Sequence, residues 1–123
     1  MRDDFPLITK DLMAKRVAYR CSNTGCRKVT SGTQEDPTKV VNIGVAAHIT
    51  AALADGPRFE RFLTPDERRS AENGIWLCQS CAKLVDNDPI SYGVDVLRRW
   101  KTLAETSAAR GLEETPPSAF MHL

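Results

Sequence analysis

The sequence predicts a small α+β domain, held together by a four-cysteine metal knuckle and flanked by helices. Three observations carry that expectation. Cysteines number four and come in two close pairs, Cys21/Cys26 with four intervening residues and Cys78/Cys81 with two. The second pair sits inside Asn73-Gly-Ile-Trp-Leu-Cys-Gln-Ser-Cys-Ala-Lys-Leu-Val-Asp86. Its Ile75-Trp76-Leu77 run is too short for a helix and suits one buried strand, with a helix expected from Ala82 onward. Upstream, Val40 to Ile49 turns apolar and β-branched, which predicts a partner strand with a bulge at Gly44.

The remaining elements follow in chain order. Residues 7 to 17 read as a short helix with Ile8 and Leu12, four apart, sharing its apolar face. Asn23 and Gly25 are turn formers that fold Cys21-Ser-Asn-Thr-Gly-Cys26 back on itself. Residues 27 to 39 are polar and read as a loop, and Gly56-Pro57 ends any regular element before Arg58. Thr64-Pro65-Asp66-Glu67 is a helix start, with Thr64 as N-cap, proline at the first helical position and Glu67 completing a capping box. That helix should run to about Glu72 and stop at Asn73-Gly74. Asn87-Asp88-Pro89 is a turn. Val94 to Arg110 is the longest helix, with Leu97, Trp100, Leu103/Ala104 and Ala108 on one stripe and Gly111 as its stop. Residues 1–111 therefore form the domain, and residues 112–123, with Pro116-Pro117, read as a tail or linker.

With 123 residues, 41% of them apolar and 27% charged, the chain is long enough for one domain with one modest core. A formal net charge of +1 excludes nucleic-acid binding by bulk attraction, so any basic surface must be local. Arg58, Arg61, Arg68, Arg69, Arg98 and Arg99 are available for that, although solvated helix faces account for most of them. Met1 to Pro6 is charged and no signal-like apolar segment follows, and no apolar run approaches the ~20 residues of a membrane span. A cytoplasmic chain with no membrane partner is expected, and in that compartment paired cysteines are more often metal ligands than disulfides. The redox use of a CxxC needs a thioredoxin-like βαβ context that this sequence lacks. Two knuckles from distant parts of the chain can complete one tetrahedral site, so Cys21, Cys26, Cys78 and Cys81 are expected to hold a structural Zn²⁺. Closed by four sulfurs, that zinc would not be catalytic.

Beyond the cysteines, the chain resembles the HNH endonucleases of the ββα-metal superfamily. The family pattern has a histidine on a first strand, then an asparagine, then LCxxCH and a final histidine one helical turn later. Here the corresponding residues are His48, Asn73, Leu77-Cys78-Gln79-Ser80-Cys81, Ala82 and Asp86. Ala47-His-Ile-Thr-Ala-Ala52, Gly56-Pro-Arg58 and Asn73-Gly-Ile-Trp-Leu-Cys78 look further like the HNH module of bacterial anti-phage effector nucleases. In those proteins the module is often fused to a C-terminal domain that senses a nucleotide signal. The resemblance spans roughly residues 15 to 105.

This resemblance implies metal-assisted hydrolysis of DNA phosphodiester bonds, on double-stranded DNA, in defence against phage. His48 would be the general base, since a neutral imidazole takes a proton from water near pH 7. Asp86, a hard-oxygen ligand in place of the final histidine, would hold a catalytic Mg²⁺ or Mn²⁺, with Asp88 as the rival ligand. Asn73 would either hold the loop that carries the base or join the metal shell, and Arg58 would clamp the scissile phosphate. A sensor domain or a second copy would be the partner besides DNA. Three positions depart from the family. Ala47 stands where an acid or histidine usually precedes the base, Ala82 replaces the histidine after the second cysteine, and Asp86 replaces the final histidine. Ala47 is the feature that favours an alternative, a zinc-stapled module that binds nucleic acid or protein without cutting.

Overall fold

The computed structural model describes residues 4–50, 58 and 63–114. The Gly56-Pro57 loop end, Arg61 and the tail from residue 115 onward lie outside the described residues. The elements are a mixture of helices and two small antiparallel sheets.

Helix α1 (Leu7–Arg16) starts at Pro6, whose carbonyl accepts from the N–H groups of Thr9 and Lys10 at 3.0 and 3.1 Å. The face it buries is not the expected one. Ile8 and Leu12 are 79% and 49% exposed, whereas Met13, Ala14 and the following Val17 are buried. Phe5 just before the helix and Val17 just after it are both core residues, and anchoring both ends rotates the Met13 side inward. At its end, the Tyr19 N–H reaches back to the Ala14 carbonyl at 2.8 Å, with Ala18 and Tyr19 at φ of 54° and 58°. Two successive left-handed residues without glycine are costly, and here they reverse the chain into the first cysteine pair.

The stretch expected to be a loop, residues 27 to 39, contains a strand. Strand β1 (Ser31–Thr33) pairs antiparallel with β2 (Val40–Asn42), Ser31 opposite Asn42. Both strands are largely exposed, so β1 carries little of the apolar alternation that marks a half-buried strand. Strand β3 (Gly44–His48) then begins a second sheet, so the expected bulge is instead a break between two strands at Ile43. Gly44 is needed there for space: a Cβ at this position would overlap the indole of Trp76.

Helix α2 (Pro65–Arg68) has the full capping box. Thr64 Oγ1 accepts from the Glu67 N–H at 3.1 Å and the Glu67 carboxylate accepts from the Thr64 N–H at 2.9 Å. It is shorter than expected, and a 3₁₀ turn, Ala71–Asn73, leads into strand β4 (Gly74–Cys78). β4 pairs antiparallel with β3 in the register Gly44↔Cys78 to His48↔Gly74. Every residue of β4 is buried. Its alternation feeds two cores, Ile75 and Leu77 packing with Val85 and Leu97 on one face, Trp76 with Ala14, Val17 and Ala104 on the other.

Helix α3 (Gln79–Asn87) starts three residues earlier than expected, because Cys78 is its N-cap and its sulfur accepts from the Cys81 N–H at 3.4 Å. Helix α4 (Val94–Gly111) runs one residue past its expected end, taking in Gly111 with Leu112 as its C-cap, and buries Leu97 and Ala104. Trp100 stacks obliquely on Tyr92 at 5.5 Å, while Leu103 is 45% exposed. Lys101 ties this helix to β4 by donating to the Gly74 carbonyl at 2.7 Å. None of the helices is long and apolar enough to cross a membrane among the described residues.

Candidate functional site

The two cysteine pairs converge as the spacing predicts. All four sulfurs lie within 4.8 Å of one another, with Cys21, Cys78 and Cys81 buried and Cys26 exposed. All four are free thiols, and Cys26 and Cys78 sulfurs are 4.0 Å apart, twice a disulfide bond length. The first knuckle is built by Asn23. Its side-chain oxygen accepts from the Gly25 N–H at 2.9 Å, its backbone carbonyl accepts from the Cys26 N–H at 2.9 Å, and its Nδ2 donates to Cys81 Sγ at 3.3 Å. The second knuckle is the β4–α3 junction, and the Ser22 N–H donates to the Trp76 carbonyl at 2.9 Å to dock one on the other.

Burial pushes the Cys21 and Cys81 thiols up. At Cys78 burial acts the same way, but hydrogen bonds from the Cys81 backbone N–H and from the neighbouring thiols outweigh it and hold this group below the ordinary cysteine range. Four sulfurs gathered this closely with two reluctant to ionise call for a cation to stabilise the thiolates, and the set could hold a metal ion such as zinc.

At the opposite end of the β3–β4 pair lies His48, and the residues expected to form a site with it come from the 3₁₀ turn, residue 58 and α3. His48 ends β3 opposite Gly74, and the Ile49 N–H donates to the Asn73 carbonyl at 2.8 Å. The Asn73 side chain is 4% exposed and engaged on both sides. Its Oδ1 accepts from Thr50 N and Thr50 Oγ1 at 3.1 and 3.0 Å, and its Nδ2 donates to the carbonyls of Arg68 and Thr50 at 3.0 and 3.3 Å. A carboxamide oxygen has two lone pairs. Both are taken, so of its two expected roles Asn73 performs the loop-holding one here and offers no lone pair to a metal.

Arg58 is placed differently from the expected phosphate clamp. Its side chain is 6% exposed, and its donors serve protein acceptors. Nε reaches the Ile49 carbonyl at 3.1 Å, Nη1 the carbonyls of Val85 and Tyr92 at 3.0 and 3.3 Å, and Nη2 the Asp86 carboxylate at 3.5 Å. A backbone φ of 62° turns the side chain inward. Arg58 is thus a strut that joins the residue after His48 to the end of α3. Asp86 itself is 71% exposed at the side chain, with one oxygen toward Arg58. Asp88 is committed to a turn, since its carboxylate accepts from the Ser91 N–H at 3.1 Å and is held below the usual carboxylate range by Ser91.

Sequence reasoning missed three residues. Thr50, directly after Ile49, is fully buried and is the partner Asn73 grips. Asn23 was legible as a turn former, but its bond to Cys81 was not. Phe5 stacks on His48 with ring centroids 4.0 Å apart and planes 14° from parallel. Nothing local in the sequence signals a contact across so much intervening chain.

No protein-family model matches this chain, and no curated protein matches it.

Proposed function

We propose that this chain is a metal-dependent endonuclease of the HNH type that hydrolyses phosphodiester bonds of double-stranded DNA. The observation that carries the reading is the bridge made by Arg58. One buried guanidinium holds the Ile49 carbonyl, one residue after His48, and lies 3.5 Å from the Asp86 carboxylate, so the chain leaving the candidate base and the helix bearing the candidate metal ligand are joined by one strut. The β3–β4–α3 unit around it has the strand, strand, helix order of the ββα-metal superfamily.

In this reading His48 accepts the proton of the attacking water, and the rigid pairing of β3 with β4 fixes its backbone. Asn73 holds Thr50 and with it the chain leaving His48. Asp86 is a hard, solvent-facing oxygen donor, which fits Mg²⁺ or Mn²⁺; such sites take one or two carboxylates and fill the rest with water and phosphate. An ion held there would stabilise the charge that develops on the phosphate and leaving oxygen. Zinc in the four-cysteine knuckle plays no part in the reaction and staples the first knuckle to β4 and α3. The resemblance to anti-phage effectors makes a role in bacterial defence, in the cytoplasm and beside a sensor domain or a second copy, the setting we propose.

The test is nicking of supercoiled plasmid with Mg²⁺, Mn²⁺ or EDTA. His48→Ala should stay folded and zinc-loaded yet cleave about 10²–10⁴-fold more slowly, the usual contribution of a general base. Cleavage at the unsubstituted rate by the folded variant would sink the mechanism. A second reading, a nucleic-acid- or protein-binding module without cleavage, draws on the apolar, buried Ala47 beside His48 and on the committed lone pairs of Asn73. It gains if the unsubstituted protein binds DNA but nicks it with neither cation.

A further inference from the structure

We propose that Phe5 is a positioning residue for His48, its ring serving as a flat wall that fixes the imidazole plane. This rests on the reading of His48 as the base. Phe5 is 5% exposed, and its ring lies 4.0 Å from the imidazole and 14° from parallel. Gly74, the residue opposite His48 across the strand pair, makes the room. A Cβ there would lie 3.0 Å from Phe5 Cζ and would overlap Met13. The wall is itself anchored: α1 begins two residues after Phe5, and buries Met13 and Ala14. Arg16 at its far end pairs with Glu105 of α4 at 2.9 Å.

The chemistry of stacking suits a base. The second side-chain torsion of histidine is broad, so a strand fixes the backbone without fixing the ring. Stacking engages a face of the imidazole and makes no demand on its ring nitrogens, which lie in the ring plane. Phe5 can therefore orient the ring without consuming the lone pair that a base needs. Orientation errors of about 1 Å at a reacting group cost on the order of a hundredfold in rate.

Phe5→Leu tests this, because leucine keeps the apolar filling but removes the flat face. The chain contains only two histidines, His48 and His122, so the carbon-bound imidazole protons are readily assigned by NMR. In the unsubstituted, zinc-loaded protein, cross-relaxation between the Phe5 and His48 ring protons and an upfield displacement of the His48 signals are expected. In Phe5→Leu that displacement should vanish, kcat for plasmid nicking should fall about ten- to a hundredfold, and KM and the thermal midpoint should change little. A folded Phe5→Leu protein with unchanged kcat would overturn the proposal. So would the absence of cross-relaxation in the unsubstituted protein, a result that needs no variant to fold. If the unsubstituted protein fails to nick plasmid with either Mg²⁺ or Mn²⁺, the nuclease reading fails and takes the catalytic part of this proposal with it. Displaced His48 signals would still uphold the positioning of the ring.

Discussion

Asn73 illustrates how one buried side chain organises a loop. Past the end of the β3–β4 pairing, the Thr50 N–H and carbonyl find their partners in the Asn73 carboxamide, which makes four hydrogen bonds to Thr50 and Arg68. Leaving buried polar groups unpaired costs more than any single hydrogen bond contributes. Asn73→Ala should therefore lower stability by about 2–4 kcal/mol, read as a shift of the urea midpoint of the zinc-loaded protein. An asparagine whose role were metal ligation alone would leave that midpoint nearly unchanged. Arg58 is a second case at this scale, since a guanidinium 6% exposed with three backbone carbonyls around it is held for its geometry. Removing it would unfasten Ile49 from Val85 and leave Asp86 without its cationic partner.

Among the elements, β4 is the axis, and its neighbours must conform to it. The Trp76 indole lies over the start of β3, donates to Thr30 Oγ1 at 2.9 Å and allows only a glycine at position 44. Gly44→Ala should force the indole to shift and cost about 1–3 kcal/mol. Gly32, in β1, is the control: nothing lies within 4 Å of a Cβ built there and its φ is not left-handed. Gly32→Ala should be neutral or stabilising by up to about 1 kcal/mol. Thermal melts of the two variants compare them directly, and equal destabilisation would contradict the space argument.

For the whole molecule, two devices join the elements that the cores alone hold weakly. The first is the cysteine cluster. Structural zinc sites contribute about 10–16 kcal/mol of apparent binding energy, comparable to the about 5–15 kcal/mol stability of an entire domain. Stripping metal with a chelator, or Cys78→Ala, should thus unfold much of the chain, observed as lost zinc content and lost far-ultraviolet dichroism. A variant that kept its dichroism without metal would show that the cores suffice. The second device is the Arg16–Glu105–Lys101 network between α1, α4 and the Gly74 carbonyl. The Arg16 hydrogen bond, with help from the Lys101 charge, holds the Glu105 carboxyl below its usual 4.5. A carboxyl depressed in the folded state adds stability that is complete above its unfolded pKa and disappears as pH falls through its folded one. The stability gap between the unsubstituted protein and Glu105→Gln should be constant near neutrality and close as the solution is acidified below about pH 4. A gap that persists at low pH would mean that the carboxylate charge is not what the network uses.

Local signals decided what the sequence could determine. The thiol pairs, the capping box at Thr64, the apolar run before Cys78 and the stripe of α4 are each written within a few residues, because ligand spacing, capping and amphipathic period are short-range physics. The convergence of Cys21, Cys26, Cys78 and Cys81 was legible for the same reason: two knuckles with ligand spacing have few other ways to satisfy one ion. Only the tertiary structure decided the rest. Which face α1 buries depends on where Phe5 and Val17 find room against β4, and Ile8 and Leu12 satisfy the helical period just as well. The exposed β1 strand gains its partner from β2 and leaves no apolar alternation to read. The placement of Arg58 as an inner strut, the grip of Asn73 on Thr50 and the stack of Phe5 on His48 are contacts between residues far apart in sequence. They arise from shape and unpaired backbone groups that exist only once β3 and β4 have met.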